Sequence, residues 1–250
     1  MIGKALSMSD LVTCSIEDGL CTLALNRPEK LNALNIDSFR QIDAHLRSLD
    51  FDAVGCLLLT GNGRSFCAGH DLDDLAAGDE GTEAALFETT VIENLANLPI
   101  PVVAAVRGHC YTGGLELVLA ADIIIATETA KFADTHAKWD LVPVWGLTQR
   151  LPRRIGAQRA KEMMFSSRTY SGVEAAAMGL ASRALPEAEF DEGVRSLCAD
   201  ILANSRRSSR AIKKLLIDTD GMALAQGIAW ELHRSEGHGP EFHARLAELR

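Results

Sequence analysis

Aromatic residues make up only 5% of this 250-residue chain, which holds just 7 prolines and 20 glycines. Those levels exclude a collagen-like or proline-rich low-complexity chain. The six cysteines, Cys14, Cys21, Cys56, Cys67, Cys110 and Cys198, form no CxxC pair and no dense cluster. That spacing argues against a disulfide-framed secreted domain and reads as reduced thiols in a cytoplasmic protein. Long apolar runs are missing as well. LELVLAADIIIAT, from Leu115, falls short of the roughly 20 residues a membrane helix needs, and it carries Glu116 and Asp122. The opening MIGKALSMSD has no apolar signal core, so neither export nor a membrane span is expected. Positive charge is outnumbered, 25 Lys and Arg against 34 Asp and Glu, for a formal net charge of −9. Broad attraction to nucleic acid or anionic membranes is therefore not expected, although a local basic patch can still hold a phosphate. There is no GxSxG elbow, no Walker loop and no GxGxxG helix start, which weakens ester hydrolase, nucleotidase and dinucleotide readings.

What remains is the composition of an ordinary globular protein, 47% hydrophobic and 24% charged, long enough to bury a sizeable core. LVTCSI, the turn EDG and LCTLALN have the alternation and turn chemistry of a hairpin. NIDSFRQIDAHLRSL places Ile36, Phe39, Ile42, Leu46 and Leu49 at helical spacing behind Asn35, a good cap residue. AVGCLLLTG reads as a short buried strand, followed by the Gly-rich loop GNGRSFCAGHDLDDL and a polar stretch, GDEGTE, expected to be mobile. A helix over ALFETTVIENLANL stops at PIP and leads to the strand VVAAVRG, a Gly turn, a helix containing Glu116 and the strand DIIIAT. From Lys131 the strands fade and helices dominate. The layout is an α/β core over 1–187, carrying the candidate site, and a helical C-terminal region over 188–250, with the boundary near Ala188. A Leu- and Ala-rich appendage of this kind often packs on a neighbouring subunit, so an oligomer is expected.

The stretch GHCYTGGLELVLAADIIIAT, from Gly108, concentrates the chemistry. A strand ending at Arg107, a turn at Gly108 and the Gly113–Gly114 pair feeding a helix leave first-turn N–H groups without intrahelical acceptors. Such groups suit an oxygen that becomes an anion during reaction, and one preorganised donor is typically worth roughly 3–4 kcal/mol. Glu116 follows among Leu115, Leu117, Val118 and Leu119, where desolvation raises a carboxyl pKa and suits it to proton transfer. A plainer reading makes Glu116 a first-turn acid that complements the helix dipole. A second Gly-containing loop, SFCAGHDL, also follows a buried strand and offers open amides around Ala68, Gly69 and His70. The two loops can contribute one donor each to the same oxygen.

NRPEKLNALN (from Asn26), GNGRSFCAGHDL (from Gly61), IPVVAAVRGHCYTGGLELVLAADIIIA (from Ile100) and AKFADTHAKWDLVPVWGLTQRLPRRIG (from Ala130) span nearly the whole chain. In that order they resemble the crotonase family, also called the enoyl-CoA hydratase/isomerase family. The resemblance implies an α/β crotonase (ClpP-like) fold of repeated ββα units with a helical C-terminal region, assembled as trimers or dimers of trimers. It implies an acyl-CoA thioester as substrate and a stabilised thioester enolate as the shared chemistry. Coenzyme A enters as part of the substrate, with no other cofactor and no metal. By the same resemblance the amides of His70 and Gly113 form an oxyanion hole, and Glu116 falls on the first of two catalytic glutamates. Lys30, Leu31, Ala68, Asp71 and Leu72 fall in the segments that hold the CoA adenine and pantetheine.

One departure stands out. Hydratases of this family usually carry a second glutamate in a PE pair after the AxF segment, and here Thr135 and His136 occupy that place. His136 is the candidate second catalytic group, since imidazole titrates near neutral pH, and Asp140 is the reserve carboxylate. Three outcomes stay open: an enoyl-CoA hydratase in which Glu116 and His136 share the work, an isomerase or other enolate enzyme with Glu116 as sole acid/base, and an acyl-CoA-binding protein without turnover.

Other groups read more plainly. Cys67 and Cys110 lie near the site but have no local His to activate them, so they read as small buried residues. The side chain of His70 either lines the acyl pocket or points away, and Trp139 and Trp145 are placed to shape the acyl end. His233, His238 and His243 lack the i, i+4 geometry of a helical metal pair. Arg206, Arg207, Arg210, Lys213 and Lys214 read as a solvated helix face rather than a phosphate grip.

Overall fold

The structure, a computed structural model, describes residues 10–77 and 81–247. The segment 1–9, which holds most of the MIGKALSMSD opening, lies outside the described residues. So do 78–80 of the GDEGTE stretch, and 248–250.

Val12–Glu17 (β1) and Leu20–Leu25 (β2) form the expected hairpin. It turns at Asp18 and Gly19, whose φ values of 49° and 85° match the twist of the flanking strands. Asn35 caps α1, Ile36–Arg47, by accepting from the Ser38 N–H, and Phe39, Ile42 and Leu46 point into the core. The chain continues through β3 (Cys56–Gly61), α2 (Leu72–Ala77), α3 (Thr82–Ala96), β4 (Val102–Val106), β5 (His109–Tyr111), α4 (Gly113–Val118), β6 (Ile123–Thr127) and β7 (Lys131–Ala133). There follow α5 (Leu147–Ile155), α6 (Ala157–Ser166), β8 (Tyr170–Ser171), α7 (Gly172–Met178) and β9 (Arg183–Leu185). The last helices are α8 (Glu187–Ala203), α9 (Arg206–Asp218), α10 (Leu224–Arg234) and α11 (Phe242–Ala247).

Six strands form one sheet in the order β1-β2-β3-β4-β6-β9, parallel except for the hairpin, while β5-β7-β8 form a smaller sheet. The period of two along the parallel strands divides the core. Leu57, Leu59, Val102 and Ala104 face a large core shared with α1, α3 and α4. Cys56, Leu58, Val103, Ala105 and Ile125 face the other way and bury against Phe190, Val194 and Cys198 of α8. Burial on both faces explains why these strands read as unbroken apolar runs.

Long strand, short strand and helix recur as β4–β5–α4 and β6–β7–α5. This is the repeated ββα unit that the resemblance implies. Helices dominate beyond Lys131, as the sequence reading expects, but three short strands that it did not place persist there. β7, β8 and β9 are 3, 2 and 3 residues long, too short to print an alternating pattern. The site is positioned by register: β5 runs parallel to β7 with Tyr111 opposite Ala133. The chain entering α4 and the chain leaving β7 therefore emerge side by side. Among the described residues no helix is long and apolar enough to cross a membrane.

Candidate active site

All six residues of α4 are buried, and Glu116 is 1% exposed. Its Oε1 accepts from the backbone N–H of Trp145 at 2.9 Å and of Leu147 at 3.3 Å. Burial pushes the carboxyl up to about 7; His136 and those two amides pull it down, and Asp134 adds to the rise. An acid that served only the helix dipole would not need two amides from a loop about thirty residues away. The raised pKa also makes a stability statement. The folded state holds this proton more tightly than the unfolded chain, so stability is full below about pH 4 and is lost as pH rises to about 7. Glu116→Gln should therefore gain stability relative to the wild type between pH 4 and pH 8, by on the order of 3 kcal/mol. Denaturant unfolding of both proteins at the two pH values measures it, and a pH-independent difference would be the contrary result.

Oε2 of Glu116 faces His136, whose Nε2 lies 3.6 Å away. Both side chains are buried, and the other ring nitrogen, Nδ1, lies 2.6 Å from Asp134 Oδ1. The same carboxylate oxygen accepts the His136 backbone N–H at 3.1 Å. Asp134 thus holds both the ring and the backbone of His136, and turns Nε2 toward Glu116. Sequence reading missed Asp134. The signal was present as an Asp two residues before the His, the spacing at which a carboxylate can take its neighbour's backbone and ring N–H groups together. Asp140, the reserve acid, is exposed at the end of a short 3-10 turn.

The SFCAGHDL loop pairs through its backbone with β5, the strand that leads into α4. Cys67 sits opposite Cys110, the Cys67 N–H donates to the His109 carbonyl at 2.8 Å, and the Tyr111 N–H donates to the Cys67 carbonyl at 3.0 Å. The His70 amide nitrogen then lies 3.3 Å from where a Gly113 Cβ would stand, and the Gly113 nitrogen lies 3.6 Å from where a Gly69 Cβ would stand. Two glycines without side chains let these two loops, and so the two amides, approach closely, with the Trp145 ring against Gly113.

Trp145 joins the parts. Its amide holds Glu116, and its ring lies 5.4 Å from the His70 ring and 4.8 Å from Phe39 between centroids. The indole N–H donates to Glu88 Oε2 at 3.1 Å, and Glu88 Oε1 lies 3.7 Å from His70 Nε2. Glu88 is a buried acid that sequence reading also missed. It shares a face of α3 with Val91, Ile92 and Leu95, so helical spacing could have flagged it. Trp139, by contrast, is exposed.

The two segments assigned to CoA also meet. The Ala68 N–H donates to the Leu31 carbonyl at 3.0 Å, the Leu34 N–H to the Gly69 carbonyl at 2.8 Å, and the Asp71 N–H to the Leu34 carbonyl at 2.7 Å. Asp71 is buried and pairs with Arg27 at 2.9 Å; although burial opposes it, the Arg27 guanidinium and its partners hold this carboxyl below the usual range. Lys30 reaches Asp73 at 2.5 Å, Leu31 has a left-handed φ of 52°, and Leu72 is exposed. On α9, Arg206 donates to the carbonyls of Asp52 and Ala53, Arg207 pairs with Glu236, Lys213 is buried against Asp122, and Lys214 pairs with Asp218.

Among the described residues no group of three or more His, Cys, Asp or Glu is placed to hold a metal ion. Cys67 and Cys110 are fully buried. Burial pushes the Cys67 thiol up to about 12 and the Cys110 thiol well above its ordinary value. Neither is available as a thiolate, so Cys110→Ala should keep turnover within about threefold of the wild type. Loss of activity in a folded Cys110→Ala protein would contradict this.

The ββα repeats, the six-stranded sheet and a buried acid beside two loop amides define a protein of the crotonase type. Comparison with known proteins gives the same result. Residues 15–238 match the family model for enoyl-CoA hydratase/isomerase. The chain is 33% identical over 221 residues, 88% of its length and 82% of the relative's, to the probable enoyl-CoA hydratase 1, peroxisomal, of Arabidopsis thaliana. It is 38% identical over 180 residues, 69% of each chain, to the 1,2-epoxyphenylacetyl-CoA isomerase of Escherichia coli K12. It superposes with a TM-score of 0.84, at 30% identity and over 95% of both chains, on a Thermobifida fusca YX protein solved in complex with acetoacetyl-CoA. The chain belongs to the enoyl-CoA hydratase/isomerase, or crotonase, family, whose members are acyl-CoA-processing enzymes.

Proposed function

We propose that this chain is an enoyl-CoA hydratase in which a glutamate and a histidine do the proton transfers. The observation that carries the reading is the line of buried side chains Asp134, His136 and Glu116, ending in a 3.6 Å gap between His136 Nε2 and Glu116 Oε2. That gap is wider than a hydrogen bond and lets both atoms reach one water oxygen at about 2.8 Å. The thioester carbonyl oxygen sits against the amides of His70 and Gly113. Water gives a proton to Glu116 as its oxygen bonds to Cβ, and the double-bond electrons move onto the thioester oxygen. The enolate then collapses as His136 Nε2–H protonates Cα, with Asp134 supporting the charged imidazole. The proton left on Glu116 returns to His136 across the gap. CoA lies along Leu31, Ala68, Asp71 and Leu72, with Lys30 at the rim. The exposed Ile212, Leu216, Leu224, Ile228 and Leu232 of α9 and α10 support a trimer, or a dimer of trimers, built through the region from Ala188 onward.

A second reading is isomerisation with Glu116 alone. A single acid with a pKa of about 7 can take a proton from one carbon and return it to another, and the Escherichia coli relative is named an isomerase. Rates on crotonyl-CoA and on a 3-enoyl-CoA, with and without His136→Ala, separate the two. The hydratase reading expects crotonyl-CoA to be hydrated and His136→Ala to lose about 100-fold or more. Faster turnover of the 3-enoyl-CoA, indifferent to His136→Ala, favours the isomerase. Binding with neither turnover contradicts both.

A further inference from the structure

Thr112, immediately before Gly113, has φ 52° and ψ −109°. A β-branched residue rarely takes a left-handed φ, and outliers of this kind persist only where the surroundings hold them. Four contacts do so. The Thr112 N–H donates to the Ala133 carbonyl at 2.9 Å, and its carbonyl accepts from the Glu116 N–H at 2.9 Å. Its hydroxyl lies 2.5 Å from the Thr135 hydroxyl and accepts from the Thr135 N–H at 3.2 Å. The ψ of Thr112 orients the planar peptide group that joins it to Gly113, and so sets the direction of the Gly113 N–H.

We propose that Thr135 is a positioning residue, whose hydroxyl and amide clamp Thr112 in this conformation and so aim the Gly113 amide at the substrate's carbonyl oxygen. The proposal rests on reading Gly113 as an oxyanion donor. The backbone contacts of Thr112 to Ala133 and Glu116 fix the chain on either side, and the hydroxyl pair fixes the side chain between them. Because Thr135 directly precedes His136, one segment then sets both the proton-transfer group and the direction of the oxyanion donor. An unclamped glycine at 112 would reach the same φ but would also sample others, leaving the donor less well aimed.

The test compares affinity for acetoacetyl-CoA, a β-keto thioester whose enolate carries charge on the thioester oxygen, with affinity for CoA alone. Calorimetry on the wild type, Thr135→Val, Thr135→Ala and Thr135→Ser provides it, alongside kcat and KM on crotonyl-CoA. Thr135→Val should lose about 10- to 100-fold of the preference for acetoacetyl-CoA while CoA affinity stays within about threefold. On crotonyl-CoA the loss should fall on kcat rather than KM, and Thr135→Ser should restore both. Thr135→Ala makes no steric demand and should behave as Thr135→Val, which keeps the test open if the valine variant does not fold. A folded valine or alanine variant that keeps the full preference overturns the clamp. A wild type that binds acetoacetyl-CoA no better than CoA overturns the reading of Gly113 itself, and the clamp with it.

Discussion

Glu116→Gln should lower turnover of the preferred enoyl-CoA by about 100- to 10,000-fold, with CoA affinity unchanged. Glutamine keeps an oxygen to accept from the Trp145 and Leu147 amides, so the loop those residues anchor stays in place. On the proposed mechanism it removes the proton transfer at Oε2, which faces His136. No other carboxylate in the segment replaces it, since Asp134 is occupied by the His136 ring and Asp140 is exposed. The effect should therefore appear in kcat, and kcat/KM of the wild type should rise with pH as the Glu116 carboxyl, raised by burial to about 7, loses its proton. A flat wild-type profile from pH 5.5 to 8.5, roughly a unit and a half either side of that value, would contradict the assignment.

On the proposed reading of the Gly113 amide as an oxyanion donor, Gly113→Ala should cost about 100- to 1,000-fold in kcat. The added Cβ would stand 2.5 Å from Trp145 Cζ3 and 3.3 Å from the His70 amide nitrogen, so it displaces the ring and crowds the amide. That ring is tied to Glu88, and the Trp145 amide is tied to Glu116, so the displacement spreads to the acid. Overpacking of this kind also costs about 1–3 kcal/mol of stability. Gly114→Ala makes the control. Its Cβ would meet the Cys67 carbonyl oxygen at 2.6 Å, a backbone atom that cannot move aside, so folding should suffer more than the aim of the amides. Kinetics and unfolding curves on both variants check the contrast, and equal turnover of Gly113→Ala and the wild type would be the contrary outcome.

The long elements were legible because their patterns are long. The Asp18–Gly19 turn, the Asn35 cap and the apolar runs of β3, β4 and β6 each follow from local chemistry. Strands of two or three residues print no period, which is why β5, β7, β8 and β9 escaped. Glu116 was legible as an acid in an apolar run beside a Gly pair. Its partners were less so, because they depend on register: Tyr111 opposite Ala133 brings Asp134 and His136 beside α4, and only the folded chain fixes that pairing. Glu88 and the Trp145 amide come from elements far along the chain in either direction, and they converge on the site through tertiary packing alone.

The most direct test is single-substrate turnover of crotonyl-CoA at pH 7 by the wild type, Glu116→Gln and His136→Ala, with CoA binding measured on the same samples. The Glu116–His136 account predicts hydration by the wild type, its loss in both variants, and unchanged CoA binding in all three. Hydration by Glu116→Gln at the wild-type rate would contradict it.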